Sequence, residues 1–174
     1  RQRASNGHKR NSIDKANRVI GVKKVFALNF PDNRFDTVPT LDIVKNIEAV
    51  KNRVKPQVIF THHWRDLNVD HRVTFNAVLT ACRPVEKETV SEIYSFEIPS
   101  STEWNYPCTF APNLFIDITA TLNRKLAAIK QYTTELRKFP HPRSVRAIEV
   151  QAAKWGSVAS KKYAEAFEAV RIVR

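Results

Sequence analysis

The sequence has no methionine, only two cysteines and only three glycines among its 174 residues. Two cysteines, Cys82 and Cys108, are too few for a disulfide-stapled scaffold and suit a reducing cytosol. No uninterrupted apolar run reaches the roughly eighteen residues of a membrane-spanning helix. The chain opens Arg1-Gln2-Arg3 with no apolar stretch behind it, so no secretory signal is expected. The missing initiator methionine suggests an internal piece of something longer. Repeats, low-complexity tracts and linkers are also absent. What is present is a 43% apolar composition, enough to build one core and to exclude disorder over most of the length. A single domain over residues 1–174 is expected.

Charge is unevenly placed. The net charge is +12, with eight Lys and Arg against Asp14 in residues 1–24 and twelve against four acids in residues 124–174. Residues 25–123 carry nine basic against twelve acidic side chains. Basic ends around a mildly acidic centre admit a phosphate-rich partner, either nucleic acid or an anionic polysaccharide. No aromatic-interleaved basic motif accompanies them, so nucleic acid is not the expected partner and a solvated surface explains the charge.

Periodicity and punctuation predict an α/β order. Residues 8–20 place Ile13, Ala16 and Ile20 on one helical stripe, and Gly21 stops it. Val25–Leu28 is a short apolar run before Pro31-Asp32-Asn33, which predicts a buried strand. Residues 40–54 form a helix through Ile43, Ile47, Val50 and Val54, with Thr40 as its N-cap and Pro56 beyond its end. Val58–Thr61 predicts a second strand, parallel to the first, and 70–82 a helix ahead of Pro84. Ile93–Ile98 and Leu114–Ile118 extend the sheet, 120–138 and 144–158 are amphipathic helices, and Tyr163–Val173 closes as a strand. Alternating helices and strands imply a three-layer, Rossmann-like, mostly parallel sheet covered by helices on both faces.

Chemistry concentrates in Thr61-His62-His63-Trp64-Arg65-Asp66-Leu67-Asn68-Val69-Asp70-His71-Arg72, where three of the five histidines fall within ten residues. This loop leaves the carboxyl end of a strand and enters a helix, where open α/β sheets place their ligands. The positive end of the helix dipole opposes protonation of His71 and keeps its imidazole free to bind a metal. Asp70 either caps the helix or accepts a hydrogen bond from an imidazole. His62 and His63 are adjacent, so at most one of them faces the site. His8 and His141 lack acidic or histidine neighbours and are taken as structural, and Asp117 as a cap.

The wording of this loop, Pro56 to His63 followed by Asp66 to Arg72, resembles the second motif of the PIG-L/LmbE family of zinc-dependent de-N-acetylases. Leu28-Asn29-Phe30-Pro31-Asp32-Asn33 is similar to the segment after that family's third strand, and Pro112–Ile118 with Lys125 to its next motif. His141-Pro142-Arg143-Ser144, Gly156 and Ala164-Glu165-Ala166-Phe167 resemble its C-terminal signature. The pieces span roughly residues 10–172 in the family's order. The resemblance implies a hydrolase that removes the N-acetyl group of an N-acetylglucosamine-type sugar conjugate with zinc-activated water. It implies His71 as a zinc ligand, Asp70 as the carboxylate orienting a histidine, and Asn68 in the place of the family's helper histidine. Either His62 or His63 then substitutes for it, His63 being favoured as nearer the loop, or the general-acid role is played differently. Arg72 and Arg10 are the candidates to hold a phosphate or nucleotide on the sugar.

The family's His-Pro-Asp-Asp motif, with two further ligands and the general base, is absent from these residues. The first strands of the fold are therefore expected upstream of Arg1 or on a separate segment. Without them, an apolar sheet edge near Val25–Leu28 or Val58–Phe60 invites aggregation or a homo-oligomer. The resemblance also admits a non-catalytic relative that keeps the fold. A cytoplasmic location completes the expectation.

Overall fold

In the computed structural model, residues 2–107 and 110–174 are described, with side chains of the first helix described from Arg10 onward. Helix α1 spans Gln2–Ile20 and ends at Gly21, whose φ of +86° breaks the helical path. Helix α2 covers Thr40–Val54, with Asp42 in its first turn and Lys51 and Arg53 in its last, matching the helix dipole. Its N-cap is Pro39, one residue before the expected Thr40, and it terminates at Lys55 in the left-handed region with Pro56 behind it. Strand β1 is Val58–His62, α3 is Val69–Ala81 and β2 is Glu92–Phe96. Strand β3 is Leu114–Asp117, α4 is Leu122–Ile129, α5 is Val145–Val158 and β4 is Ala164–Ile172.

The four strands form one sheet of order β1-β2-β4-β3. β1 and β2 run parallel, with Thr61 opposite Ser95 and His62 opposite Phe96. β2 and β4 run antiparallel, with Ser95 opposite Glu168, and a bulge lies between Ile93 and Tyr94. The sheet is therefore mixed, and the mostly parallel expectation holds for β1 and β2. The expected strand at 25–28 is irregular chain. Its Phe26 and Leu28 instead line a hollow of about 370 Å³ with Ile47, Val50, Val54 and Ile59. A strand is stabilised by a neighbour that takes its backbone hydrogen bonds, and an apolar run alone does not supply one.

The helix expected over 120–138 stops at Ile129. Gln131 and Tyr132 donate their backbone N–H groups to the carbonyls three residues back, so the helix tightens and ends before Thr133-Thr134.

The chain divides into two compact units, residues 1–25 with 115–165, and residues 26–114 with 166–174. In the second, Ile43 and Val44 of α2, Ala77, Val78 and Ala81 of α3, Cys82, Val90 and Ile93 of β2 form the core. In the first, Ile118, Leu122 and Ala152 pack with Leu126 and Tyr163. Among the described residues no helix is long and apolar enough to cross a membrane. Cys82 is a buried free thiol, whereas Cys108 and the side chain of His8 lie outside the described residues.

Candidate active site

The site is assembled within the second unit, where β1 ends and α3 begins. Asn68 caps α3, its side-chain oxygen accepting the backbone N–H of Asp70 at 2.8 Å. Its amide nitrogen donates to Asn33 Oδ1 at 3.0 Å, so one amide hydrogen of Asn68 remains for a further partner. This cap, expected at Asp70, falls two residues earlier because Asp70 is already occupied. The Asp70 carboxylate accepts the backbone N–H groups of Asn33 at 2.6 Å and Phe35 at 2.9 Å, tying the Pro31–Phe35 segment to the helix.

The histidine-orienting role expected of Asp70 is performed by Asp66. Asp66 is fully buried, and its Oδ1 lies 3.0 Å from His71 Nδ1. It also accepts the backbone N–H of Asn68 at 2.9 Å, the hydroxyl of Thr102 at 2.6 Å and the hydroxyl of Ser101. Burial pushes this carboxyl up, but the bonds from His71, Ser101, Thr102 and Asn68 outweigh it and hold Asp66 well below the usual carboxylate range. Asp66 is therefore an anion behind the His71 imidazole.

His71 sits in the first turn of α3 with its side chain 21% exposed. The ring of His62 stacks on it with centroids 4.2 Å apart and planes 19° from parallel. Burial, and then the neighbouring His71, lower the His62 pKa to about 4, so His62 is neutral near pH 7. Of the adjacent pair, the histidine beside His71 is thus His62. His63 turns to the Thr61 side of the strand, where it is 1% exposed, 3.2 Å from Glu168 Oε2 and edge-on to Phe110. Its position conflicts with the helper role expected of it, because alternation along β1 sends neighbouring side chains to opposite faces.

Arg72 donates from one guanidinium nitrogen to the carbonyls of Asp66 and Leu67, both at 2.6 Å. It clamps the loop, and those bonds compete with the substrate contact expected of it. Arg10 is an exposed residue of α1 and belongs to the other unit. The sequence reasoning missed Asp66, Ser101 and Thr102. The first was visible as the only other acid in the histidine loop; the other two carry no local signal, standing 35 and 36 residues from Asp66.

A metal-bound histidine characteristically has a carboxylate behind its other ring nitrogen, and His71 with Asp66 has that form. Among the described residues, however, no three His, Cys, Asp or Glu side chains gather into a metal site. A catalytic zinc takes three protein ligands. These residues therefore fit one ligand of a zinc centre and do not make a complete one.

Residues 2–82, which include this loop, match the PIG-L family, described as GlcNAc-PI de-N-acetylase. Over these residues the chain is similar to the PIG-L family. It is 30% identical over 122 residues to the uncharacterized deacetylase YaiS of Escherichia coli K12, an overlap of 66% of this chain and 60% of YaiS. The chain thus spans about 60% of that relative's length. The N,N'-diacetylchitobiose deacetylase of Pyrococcus horikoshii superposes with a TM-score of 0.74 at 19% identity, covering 95% of this chain and 64% of that one. GalB of Pseudomonas putida KT2440, a 4-carboxy-2-hydroxymuconate hydratase, does so with a TM-score of 0.69 at 21% identity, covering 97% of this chain and 74% of its own. These likenesses establish an LmbE-like α/β fold for this chain. That a deacetylase and a hydratase share the fold means the reaction has to be argued from the side chains.

Proposed function

We propose that this chain carries part of the active site of a zinc-dependent de-N-acetylase acting on an N-acetylglucosamine-type conjugate. The observation that supports the reading is the Asp66–His71 pair at the strand ends, inside the segment that matches the PIG-L family. A bound zinc would polarise the acetamide carbonyl and acidify its water. The chain's own residues do three things. Asp66 holds His71 in one ring orientation through Nδ1, leaving Nε2 as the free atom. His62, neutral and stacked, covers one face of that ring without adding charge. The remaining Asn68 amide hydrogen is a donor that can meet an oxyanion. The other ligands and the general base are proposed to come from a His-Pro-Asp-Asp segment outside this sequence, and the location is proposed to be cytoplasmic.

The test is acetate release from N-acetylglucosamine, from N,N'-diacetylchitobiose and from an N-acetylglucosaminyl phospholipid, with zinc supplied. Activity on at least one is expected from the protein carrying the complete ligand set, and His71→Ala should lower kcat at least a hundredfold. Unchanged turnover in that variant would remove His71 from the site. A second reading, a non-catalytic member of the family, is favoured by one observation, the incomplete donor set among the described residues. Stoichiometric binding of the sugars with no acetate release under any zinc loading is its expected result.

A further inference from the structure

We propose that Ser101 and Thr102, on the connection after β2, are positioning residues that fix the tautomer of His71. The inference rests on the reading of His71 as the side chain at the reacting centre. Both residues are buried, at 8% and 2% exposure, and both direct their hydroxyls at the Asp66 carboxylate.

The direction of each bond follows from the donor count. Thr102 Oγ1 accepts the backbone N–H of Ile98 at 2.7 Å, so its single proton is left for Asp66 Oδ2, 2.6 Å away. Ser101 donates to Oδ1, and the Asn68 backbone N–H donates to the same oxygen at 2.9 Å. Three donors therefore already converge on Asp66 before His71 is considered. A carboxylate surrounded in this way has no proton to offer, so the fourth contact has to be an N–H donated by His71 Nδ1. Whenever the ring is neutral, His71 is thereby held as the Nδ1–H tautomer, with a bare lone pair on Nε2, the form that can ligate a metal or accept a proton.

The connection is built to present these hydroxyls. The Glu103 carboxylate accepts the backbone N–H groups of Ser100 at 2.6 Å and of Ser101 at 3.2 Å. Those bonds support Ser100 at a φ of +66°, a left-handed position uncommon for a residue other than glycine. The relay runs from the Ile98 N–H through the Thr102 hydroxyl and Asp66 to His71, across two connections distant in sequence.

The test reads the tautomer directly. The side-chain nitrogen resonances of ¹⁵N-labelled, chelator-treated full chain, recorded at a pH high enough that the ring is neutral, should show His71 Nε2 as a bare imidazole nitrogen. In the double variant Ser101→Ala/Thr102→Val the population with a proton on Nε2 should rise severalfold, while Thr102→Ser, which keeps the hydroxyl, should restore the original pattern. An unchanged His71 pattern in a double variant whose amide spectrum remains dispersed overturns the proposal. If the double variant does not fold, the single variants Ser101→Ala and Thr102→Ala are read in the same way, with the same two outcomes. Since the readout needs no turnover, it separates from the acetate assay. A shifted tautomer with no acetate release leaves this proposal standing and defeats the functional one. Where acetate is released, the same variants should lower activity about tenfold to a hundredfold.

Discussion

At the scale of single residues, the site is an accounting of protons. Asp66 is surrounded by donors and is held as an anion; His62 is held neutral by burial and the neighbouring His71 ring, which outweigh the opposing pull of Asp66. The His62 shift has a stability consequence whose sign follows from linkage. Its folded pKa of about 4 lies below the ordinary histidine value of 6.5, so in that window the unfolded chain binds a proton that the folded chain refuses. The contribution is fully present above pH 6.5 and is lost as the pH falls towards about 4. Unfolding free energies of the chelator-treated chain from urea titrations should therefore drop over this range, by about 2 kcal/mol more for the natural sequence than for His62→Gln. Parallel pH profiles for the two proteins would show that His62 titrates normally.

Among the elements, α5 depends on a glycine for a packing reason. Gly156 lies on its last turn, and a Cβ there would stand 2.7 Å from the backbone oxygens of both Lys161 and Lys162. Neither oxygen belongs to a flexible side chain, so the chain leading into β4 would have to move. Gly156→Ala should gain helix propensity yet destabilise the protein by about 1–3 kcal/mol, measured by chemical unfolding. A stabilised variant would mean that the 159–163 turn yields easily. The same turn ends α5 by returning the Lys161 N–H to the Gly156 carbonyl at 2.8 Å, which couples helix stop and strand start.

For the molecule as a whole, one exposed apolar feature is the sheet edge at β1. β1 stands at one end of the order β1-β2-β4-β3, with Val58 40% and Phe60 46% exposed, beside the hollow lined by Phe26, Leu28 and Ile59. An apolar edge strand offers unpaired backbone groups to any second strand. The isolated chain should therefore self-associate with rising concentration in sedimentation velocity, and Val58→Lys should shift it towards monomer. A chain that stays monomeric at all concentrations would show the edge to be protected. Phe60 itself is a poor position for the test, since it packs on Tyr94 and Phe167.

The sequence by itself determined what short-range rules govern. Helical spacing and proline and glycine stops placed α2, α3 and α5 to within a residue or two, and the ordered motifs pointed to the family that residues 2–82 match and to the histidine loop. It did not determine pairing. Val25–Leu28 has the composition of a strand and is irregular chain, because a strand exists only with a partner. Nor could it choose between His62 and His63, or between Asp66 and Asp70. Those choices were made by the pleat of β1, which turns His63 towards Glu168, and by a loop some 35 residues away that brings Ser101 and Thr102 onto Asp66. Buried carboxylates go where donors converge, and only the tertiary structure brings donors from distant segments to one point.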